Sequence, residues 1–163
     1  MGPVAYTEAE QAAWAAGLPR KYMGAGVLIT DENQRVLLVE PTYQDEWLLP
    51  GGIVEAGESP QVGALREVRE ELGLTLRRGR LLVVDYRPPR PTGGDSLNWV
   101  FSGGPVNEAD IVLQEAELRS WAWCTDIEIG KRAAPRVSHQ VAAGLLAIEH
   151  NTTIYLEDGQ IIH

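Results

Sequence analysis

The stretch from Gly51 to Leu74 constrains this chain more than any other part of its sequence. It opens with a pair of glycines and continues into a segment where Ser59 is a good helix N-cap and Pro60 suits the first helical position. Gly73 can adopt the left-handed conformation that ends a helix. The stretch therefore predicts a tight glycine-rich loop followed by a helix over residues 60–72.

Two sides of this predicted helix have opposite character. Leu65, Val68 and Leu72 fall on one side at helical spacing, and that side must be buried. Another side carries the carboxylates of Glu67, Glu70 and Glu71, at spacings i, i+3 and i+4. Such a cluster is either a solvated acidic surface or a place where a cation relieves the repulsion between the acids. Because the apolar side fixes the helix to a core and the loop adds backbone groups, we favour a site for Mg²⁺ or Mn²⁺.

Length and composition favour one globular domain preceded by a short arm. A chain of 163 residues that is 44% hydrophobic can bury a proper core. We expect residues 1–22 to form an arm or short helix and residues 23–163 to form the domain. Thr7 and Glu10 form a capping box for the arm helix. Its Trp14 either packs on the body of the protein or contacts a second copy in a homodimer, and the sequence leaves both open.

Apolar runs outside the central stretch predict the strands of a sheet. The runs at 23–30 and 35–40 are separated by a turn-rich link and are expected to form a hairpin. Further strands are expected at 80–86, 96–101 and 118–124, followed by a helix from Pro135 to about His150 and a terminal hairpin that turns at Asp158-Gly159. This order predicts an α+β or α/β sandwich with a mixed sheet.

Charge, apolar runs and cysteine content indicate which kind of partner and which cellular compartment to expect. The formal charge of −9 argues against a broad surface for a nucleic acid polymer. No apolar run is long enough for a membrane span, and no secretory leader is visible. Cys124 is the single cysteine, which fits a reducing cytoplasm. We therefore expect a cytoplasmic protein that acts on a small molecule.

The long loop over residues 87–95 is the first candidate for substrate recognition, because recognition residues commonly lie on loops held by a rigid scaffold. The candidate residues are Arg87 and Arg90 in the loop, with Tyr86 and Trp99 at its base. The arginines offer positive charge for a second phosphate, and the aromatics offer a stacking surface. A solvated connector is the equal alternative. Trp47 is another stacking candidate, although a role in the core is favoured for it.

Read from Gly52, the central stretch also spells a family signature. Gly52, Glu58, Arg66-Glu67-Val68, Glu70-Glu71 and Gly73-Leu74 match the pattern G-x5-E-x7-R-E-U-x-E-E-x-G-U at every position, where U is aliphatic. The chain therefore resembles the Nudix hydrolases over roughly residues 23–124 and into the C-terminal helix. The resemblance implies a Nudix-type α/β/α sandwich with a mixed β-sheet. It also implies hydrolysis of a diphosphate in a nucleoside diphosphate linked to a group X.

The resemblance also implies roles for single residues. Glu67, Glu70 and Glu71 match the metal ligands, with the carbonyl of Gly52 as a further ligand, and Arg66 matches the arginine that orients the glutamates. In this family the base that activates water is a glutamate either of the signature helix or of a distant loop. Glu70 is the first candidate for that base, and Glu115 is the second.

The residues that select the substrate lie outside the signature, so the signature does not identify the substrate. An ADP-ribose-like compound and a nucleoside triphosphate are the two candidates, and Pro89 lies where ADP-ribose-cleaving relatives tend to carry a proline. Some Nudix domains bind a nucleotide without cutting it, but those usually lose a signature acid, and this chain keeps all of them. An enzyme is therefore favoured over a sensor module, and an isomerase is a third alternative.

Overall fold

The computed structural model describes residues 6–91 and 93–162. Residues 1–5 of the expected arm, Thr92 of the long loop and His163 of the tail lie outside this part. The helices are α1 (Glu8–Ala16), α2 (Pro60–Leu72), α3 (Asp126–Arg132) and α4 (Pro135–Glu149), with a 3₁₀ turn at Glu108–Asp110. The strands are β1 (Tyr22–Leu28), β2 (Val36–Pro41), β3 (Gly51–Ile53), β4 (Leu81–Arg87), β5 (Ser96–Ser102), β6 (Leu118–Cys124), β7 (Ile154–Glu157) and β8 (Gln160–Ile161).

The main sheet is mixed, as the order of elements predicts. Its strands lie in the order β3-β1-β5-β4-β7-β8, with parallel pairs β1–β5 and β4–β7 and antiparallel pairs elsewhere. Strands β2 and β6 form a separate antiparallel pair. The expectation of an α/β architecture with a mixed sheet is confirmed.

Helices α2 and α4 cover two distinct hydrophobic cores. Strand β2 contributes to both, because successive side chains of a strand point to opposite faces. Val36 and Leu38 pack in the core that contains Val141 of α4, whereas Leu37 and Val39 pack in the core that contains Val68 of α2. Burial on both faces explains why this strand reads as a continuous apolar run.

Helix α2 begins and ends where the sequence predicts. The Ser59 hydroxyl accepts a hydrogen bond from the backbone N–H of Val62 at 3.4 Å, and Pro60 occupies the first turn. Gly73 ends the helix at φ 69°, a left-handed conformation that suits glycine. Val68 and Leu72 are fully buried as expected, whereas Leu65, the third residue of the predicted apolar side, is only half-buried.

The predicted hairpin between the first two apolar runs is wrong in its pairing. Strands β1 and β2 meet through a single bridge between Thr30 and Val36 and a hydrogen bond from Leu37 N–H to the Ile29 carbonyl. The chain then diverges, and β2 pairs with β6 instead. The apolar pattern identifies both strands but carries no information about which sheet each one joins.

The N-terminal helix forms but does not pack on the domain. The capping box between Thr7 and Glu10 is present, which confirms that prediction. No residue of α1 is buried, and Trp14 is 69% exposed, so the expectation that this tryptophan packs on the body is wrong. Among the described helices, none is long and apolar enough to cross a membrane.

Candidate metal and substrate site

The glycine pair before α2 brings backbone into contact with two glutamates of the helix. The Gly51 N–H donates to Oε2 of Glu71 at 2.8 Å. Gly52 pairs with Ala25 of β1, and a Cβ at Gly52 would lie 2.5 Å from the carboxylate carbon of Glu67. Only glycine leaves room for the Glu67 carboxylate at this point, since 2.5 Å is far shorter than a van der Waals contact.

Arg66 holds the acidic side of the helix together through one guanidinium group. Its Nη1 donates to Oε1 of Glu67 and to Oε2 of Glu70, each at 2.9 Å. Its Nη2 donates to Oε1 of Glu58 at 2.9 Å and to the Ile53 carbonyl at 3.1 Å. Arg66 lowers the pKa of Glu58 by this hydrogen bond. A planar fork with several donors is suited to this task, and the geometry agrees with a structural role for Arg66.

Glu71 is a buried carboxylate in an acidic environment. It is 7% exposed, and burial raises the pKa of Glu71 to about 8. The hydrogen bond from Gly51 opposes this rise, whereas the charges of Glu67, Glu117 and Glu70 add to it. Burial also raises the pKa of Glu67, against the opposing effect of Arg66. The charge of Glu71 therefore requires a positive partner if it is to form at neutral pH.

The donors present suit a divalent cation that prefers oxygen. Carboxylates with a neighbouring backbone carbonyl are typical ligands of Mg²⁺ and Mn²⁺, and Glu71 lies among acids whose charges a cation would offset. In the conformation described, Arg66 pairs with Glu67 and Glu70, and within residues 6–91 and 93–162 no three acidic, His or Cys side chains converge closely enough to hold a metal. Binding a cation therefore requires Glu67 or Glu70 to turn from Arg66 toward Glu71.

Glu117 joins this site, and the sequence analysis did not select it. The backbone N–H of Gln114 donates to the carbonyl of Glu71 at 2.9 Å, which brings the segment before β6 against the end of α2. The charge of Glu117 acts on Glu67 and on Glu71. Glu115 and Glu117 are both exposed, and Glu115, the acid predicted from the sequence, has no such effect on Glu67 or Glu71. Both acids lie in one irregular segment, so no periodicity could have separated them.

A cavity of about 220 Å³ opens beside the glycine pair. It is lined by Gly24 and Gly26 of β1, Gly51 and Gly52, Asn98 and Trp99 of β5, and Arg136 and Gln140 of α4. The Nε1 of Trp99 is buried and, in the part of the chain described, has no hydrogen-bond partner. The expected substrate residue Trp99 therefore lines this cavity, while its side chain packs against the core that contains Val68.

The remaining recognition candidates lie in different places. Arg87 and Arg90 line a second cavity of about 690 Å³ that adjoins the first. Tyr86 lies outside both linings, and its hydroxyl donates to Asp95 at 3.3 Å. Trp47 also lies outside both, with the Arg132 guanidinium 4.5 Å from its ring centroid, and it packs against the core that contains Val141. The structure thus brings Trp99 and the two arginines toward the glycine loop but not Tyr86 or Trp47.

A buried network joins the second cavity to the sheet. Asp85 of β4 is fully buried, and it accepts hydrogen bonds from Nε2 of Gln140 at 2.6 Å and from the Gly159 N–H at 2.9 Å. Nη1 of Arg136 lies 3.7 Å from the same carboxylate. Asp85 therefore positions α4 and the terminal hairpin at the cavity wall.

Comparison with known proteins agrees with this arrangement. The chain is 29% identical over 115 residues to an RNA pyrophosphohydrolase of Ruthia magnifica subsp. Calyptogena magnifica, a match that covers 60% of this chain and 64% of that protein. It is 46% identical over 54 residues to diphosphoinositol polyphosphate phosphohydrolase 2 of Rattus norvegicus, which covers 32% of this chain and 30% of that protein. These matches span less than two thirds of either relative.

Solved structures and a family profile complete the comparison. The crystal structure of a UDP-X diphosphatase superposes with a TM-score of 0.69 at 22% identity, covering 93% of this chain and 76% of that one, and it supports the fold alone. The sequence profile of the NUDIX domain matches residues 20–143. That span contains the glycine pair, the whole of α2 and Glu117, so the chain belongs to the NUDIX domain family.

Proposed function

We propose that this protein hydrolyses a diphosphate anhydride in a nucleoside diphosphate linked to a group X, by attack of water at phosphorus. The observation that supports this most is the arrangement of Glu67, Glu70 and Glu71 on one helix beside the Gly51-Gly52 backbone, with Glu71 buried among acids. An ionised carboxylate that is buried among other acids destabilises the fold unless a cation is bound beside it. Metal ligands must be ionised and lie close together, so a bound cation accounts for this arrangement.

A bound Mg²⁺ or Mn²⁺ would neutralise charge on the diphosphate and lower the pKa of a bound water. In our proposal Glu67, Glu70, Glu71 and the Gly52 carbonyl hold the cation. Between catalytic cycles, the two hydrogen bonds that Nη1 of Arg66 donates keep the Glu67 and Glu70 side chains close to the proposed metal site.

The base that takes the proton from water is a carboxylate near the cation. Glu70 remains our first candidate, because its side chain is half exposed and can turn toward a reacting water. Glu115 was the alternative from sequence. The charge of Glu117 acts on Glu67 and Glu71, which makes Glu117 a better second candidate than Glu115.

For the substrate we propose an ADP-ribose-like compound, with a nucleoside triphosphate as the alternative. The relatives reported above bear names that refer to RNA, diphosphoinositol polyphosphate and UDP-X, so family membership alone is compatible with many groups X. Asn98 offers an amide to a ligand in the smaller cavity, which Trp99 also lines.

A panel of nucleoside triphosphates, dinucleotides and nucleotide sugars, assayed for phosphate or nucleotide release with and without Mg²⁺, tests the proposal. Activity should require metal and vanish with EDTA. Glu71→Gln should lower turnover by orders of magnitude while the protein stays folded. Nucleotide binding without release in the presence of metal would instead make the chain a binding module.

A further inference from the structure

We infer that Arg87, Arg90 and Arg136 form one anion subsite, which binds a second phosphate carried by group X, away from the anhydride that is cleaved. The inference rests on the proposed function and narrows its ADP-ribose-like substrate class to compounds in which the sugar of X carries a phosphate, which excludes ADP-ribose itself. Three arginines from two distant parts of the chain line one cavity, two from the end of β4 and its loop and one from the first turn of α4.

The guanidinium groups of this subsite have donors to spare. Arg136 lies 3.7 Å from Asp85 and Arg90 lies 3.8 Å from Asp158, and both separations exceed hydrogen-bonding distance. The charges of the same two carboxylates also act electrostatically on Arg87. Each guanidinium carries five N–H donors in a fork that matches phosphate geometry. Among the described residues, these guanidinium groups therefore line the cavity without a hydrogen-bonded carboxylate partner.

The two carboxylates nearby offset only part of the positive charge, because three guanidinium groups lie near two carboxylates. Both oxygens of Asp85 also accept hydrogen bonds, one from Gln140 and the other from the Gly159 N–H. Asp158 is more than half exposed, so solvent screens its charge. The arginines repel one another as a result: after burial, the charge of Arg90 is the next cause that lowers the pKa of Arg87. An anion between them would relieve this repulsion.

Other arginines of the chain are not arranged in this way. Arg66 is engaged by three glutamates, as described above. Arg119 is about as exposed as Arg90, yet its Nη2 donates to the Thr42 carbonyl at 2.8 Å and its Nη1 contacts the Gln44 carbonyl at 3.4 Å. In a protein with a formal charge of −9, three arginines at one cavity form a local positive region that suits an anionic ligand.

The subsite is continuous with the proposed metal site. Tyr43, Leu48, Ile53 and Arg136 line both the smaller cavity and the larger one. Ile53 directly follows Gly52, so a substrate held at the glycine loop can extend along this shared wall toward the arginines. A neutral sugar as X would leave these donors unpaired, whereas a phosphate monoester would accept from two or three of them.

A binding measurement without metal tests the subsite independently of catalysis. Inorganic tripolyphosphate, titrated calorimetrically in excess EDTA, should bind the wild-type protein. The double variant Arg87→Gln/Arg90→Gln and the single variant Arg136→Gln should each bind about tenfold to a hundredfold more weakly. Arg119→Gln is the matched control and should bind as the wild type does. Absence of binding to the folded wild type, or equal losses in all variants, would overturn the inference.

Hydrolysis of matched pairs tests the role in substrate choice. Each pair consists of one nucleoside diphosphate compound with and without a phosphate monoester on X. Both arginine variants should raise KM by about tenfold or more for the phosphorylated member alone, with kcat unchanged. Equal loss for both members would assign the arginines to the scissile diphosphate and overturn the inference. Tripolyphosphate binding without hydrolysis of any pair would refute the proposed function and leave the anion subsite in place.

Discussion

Replacing Glu71 by glutamine should make the metal-free protein more stable while removing its response to metal. The Glu71 carboxylate is buried and lies among Glu67, Glu70 and Glu117. Glutamine has nearly the same shape and keeps an oxygen that can accept the hydrogen bond from Gly51. It lacks the charge, whose burial is unfavourable without a partner. The variant therefore separates the stability of the fold from the function of the carboxylate.

The magnitude follows from the pKa of Glu71, which burial raises from 4.5 to about 8. The folded chain holds this proton more tightly than the unfolded chain, so stabilisation present at low pH is lost as the pH rises from 4.5 to about 8. Each pKa unit corresponds to about 1.4 kcal/mol. The free energy of unfolding of the metal-free wild type should thus fall by about 4 kcal/mol between pH of about 5 and about 8.5 from this group alone.

Urea unfolding in EDTA at these two pH values measures the effect. The wild type and Glu71→Gln should agree within about 1 kcal/mol at the lower pH, and the variant should be the more stable by several kcal/mol at the higher pH. Glu115→Gln removes one charge from an exposed position and should behave as the wild type does. Added Mg²⁺ should stabilise the wild type and Glu115→Gln but not Glu71→Gln.

A difference between Glu71→Gln and the wild type that is the same at both pH values would refute the reasoning. The ionised Glu71 would then not be the source of the instability. Equal stabilisation of both proteins by Mg²⁺ would independently remove Glu71 from the set of metal ligands.

Gly52→Ala should fold but bind Mg²⁺ at least about tenfold more weakly, because the added Cβ would lie 2.5 Å from the flexible end of Glu67 and displace it. An unchanged Mg²⁺ affinity in calorimetry would contradict this. Arg66→Lys should lower kcat about tenfold to a hundredfold for all substrates alike, since an ammonium group lacks the fork, whereas a change limited to one substrate would make Arg66 a recognition residue. Asp85→Ala should lower the free energy of unfolding by about 3 kcal/mol or more, because the Gln140 amide and the Gly159 N–H lose their buried acceptor and Arg136 loses its nearby carboxylate. Asp85→Asn should lose less in the same urea titration, and equal losses would show that hydrogen bonding is not the cause.

The bounds of α2 were predictable because their determinants are local. Ser59, Pro60 and Gly73 act on the backbone within one turn of their own positions, and the helix follows them at both ends. The spacing of the glutamates on the helix is equally local. Arg66 could be predicted as their partner because it lies on the same helix, four residues before Glu70.

The pairing of strands was not predictable in the same way, because it depends on contacts between distant parts of the chain. The apolar run of β2 is buried on both faces, and such a run fits either sheet. Helix α3 was missed because it is short and contributes one fully buried residue, Ile129. Its capping box at Thr125 and Glu128 is the sequence signal that could have revealed it.

One half of the candidate site follows from local sequence, and the other half depends on contacts between distant parts of the chain. This difference indicates which residues set the substrate preference. The half of the site that is proposed to bind metal lies on one loop and one helix, so apart from Glu117 it follows from local sequence. Its substrate half is assembled by tertiary pairing: parallel pairing of β4 with β7 brings the turn after β7 to Asp85, and Asp85 in turn holds Gln140 and faces Arg136 on α4. Because the two halves share only a cavity wall, residues of the second half can change without disturbing the first. Substitutions in β5, α4 and the loop after β4 should therefore alter the choice of X while the requirement for metal stays constant.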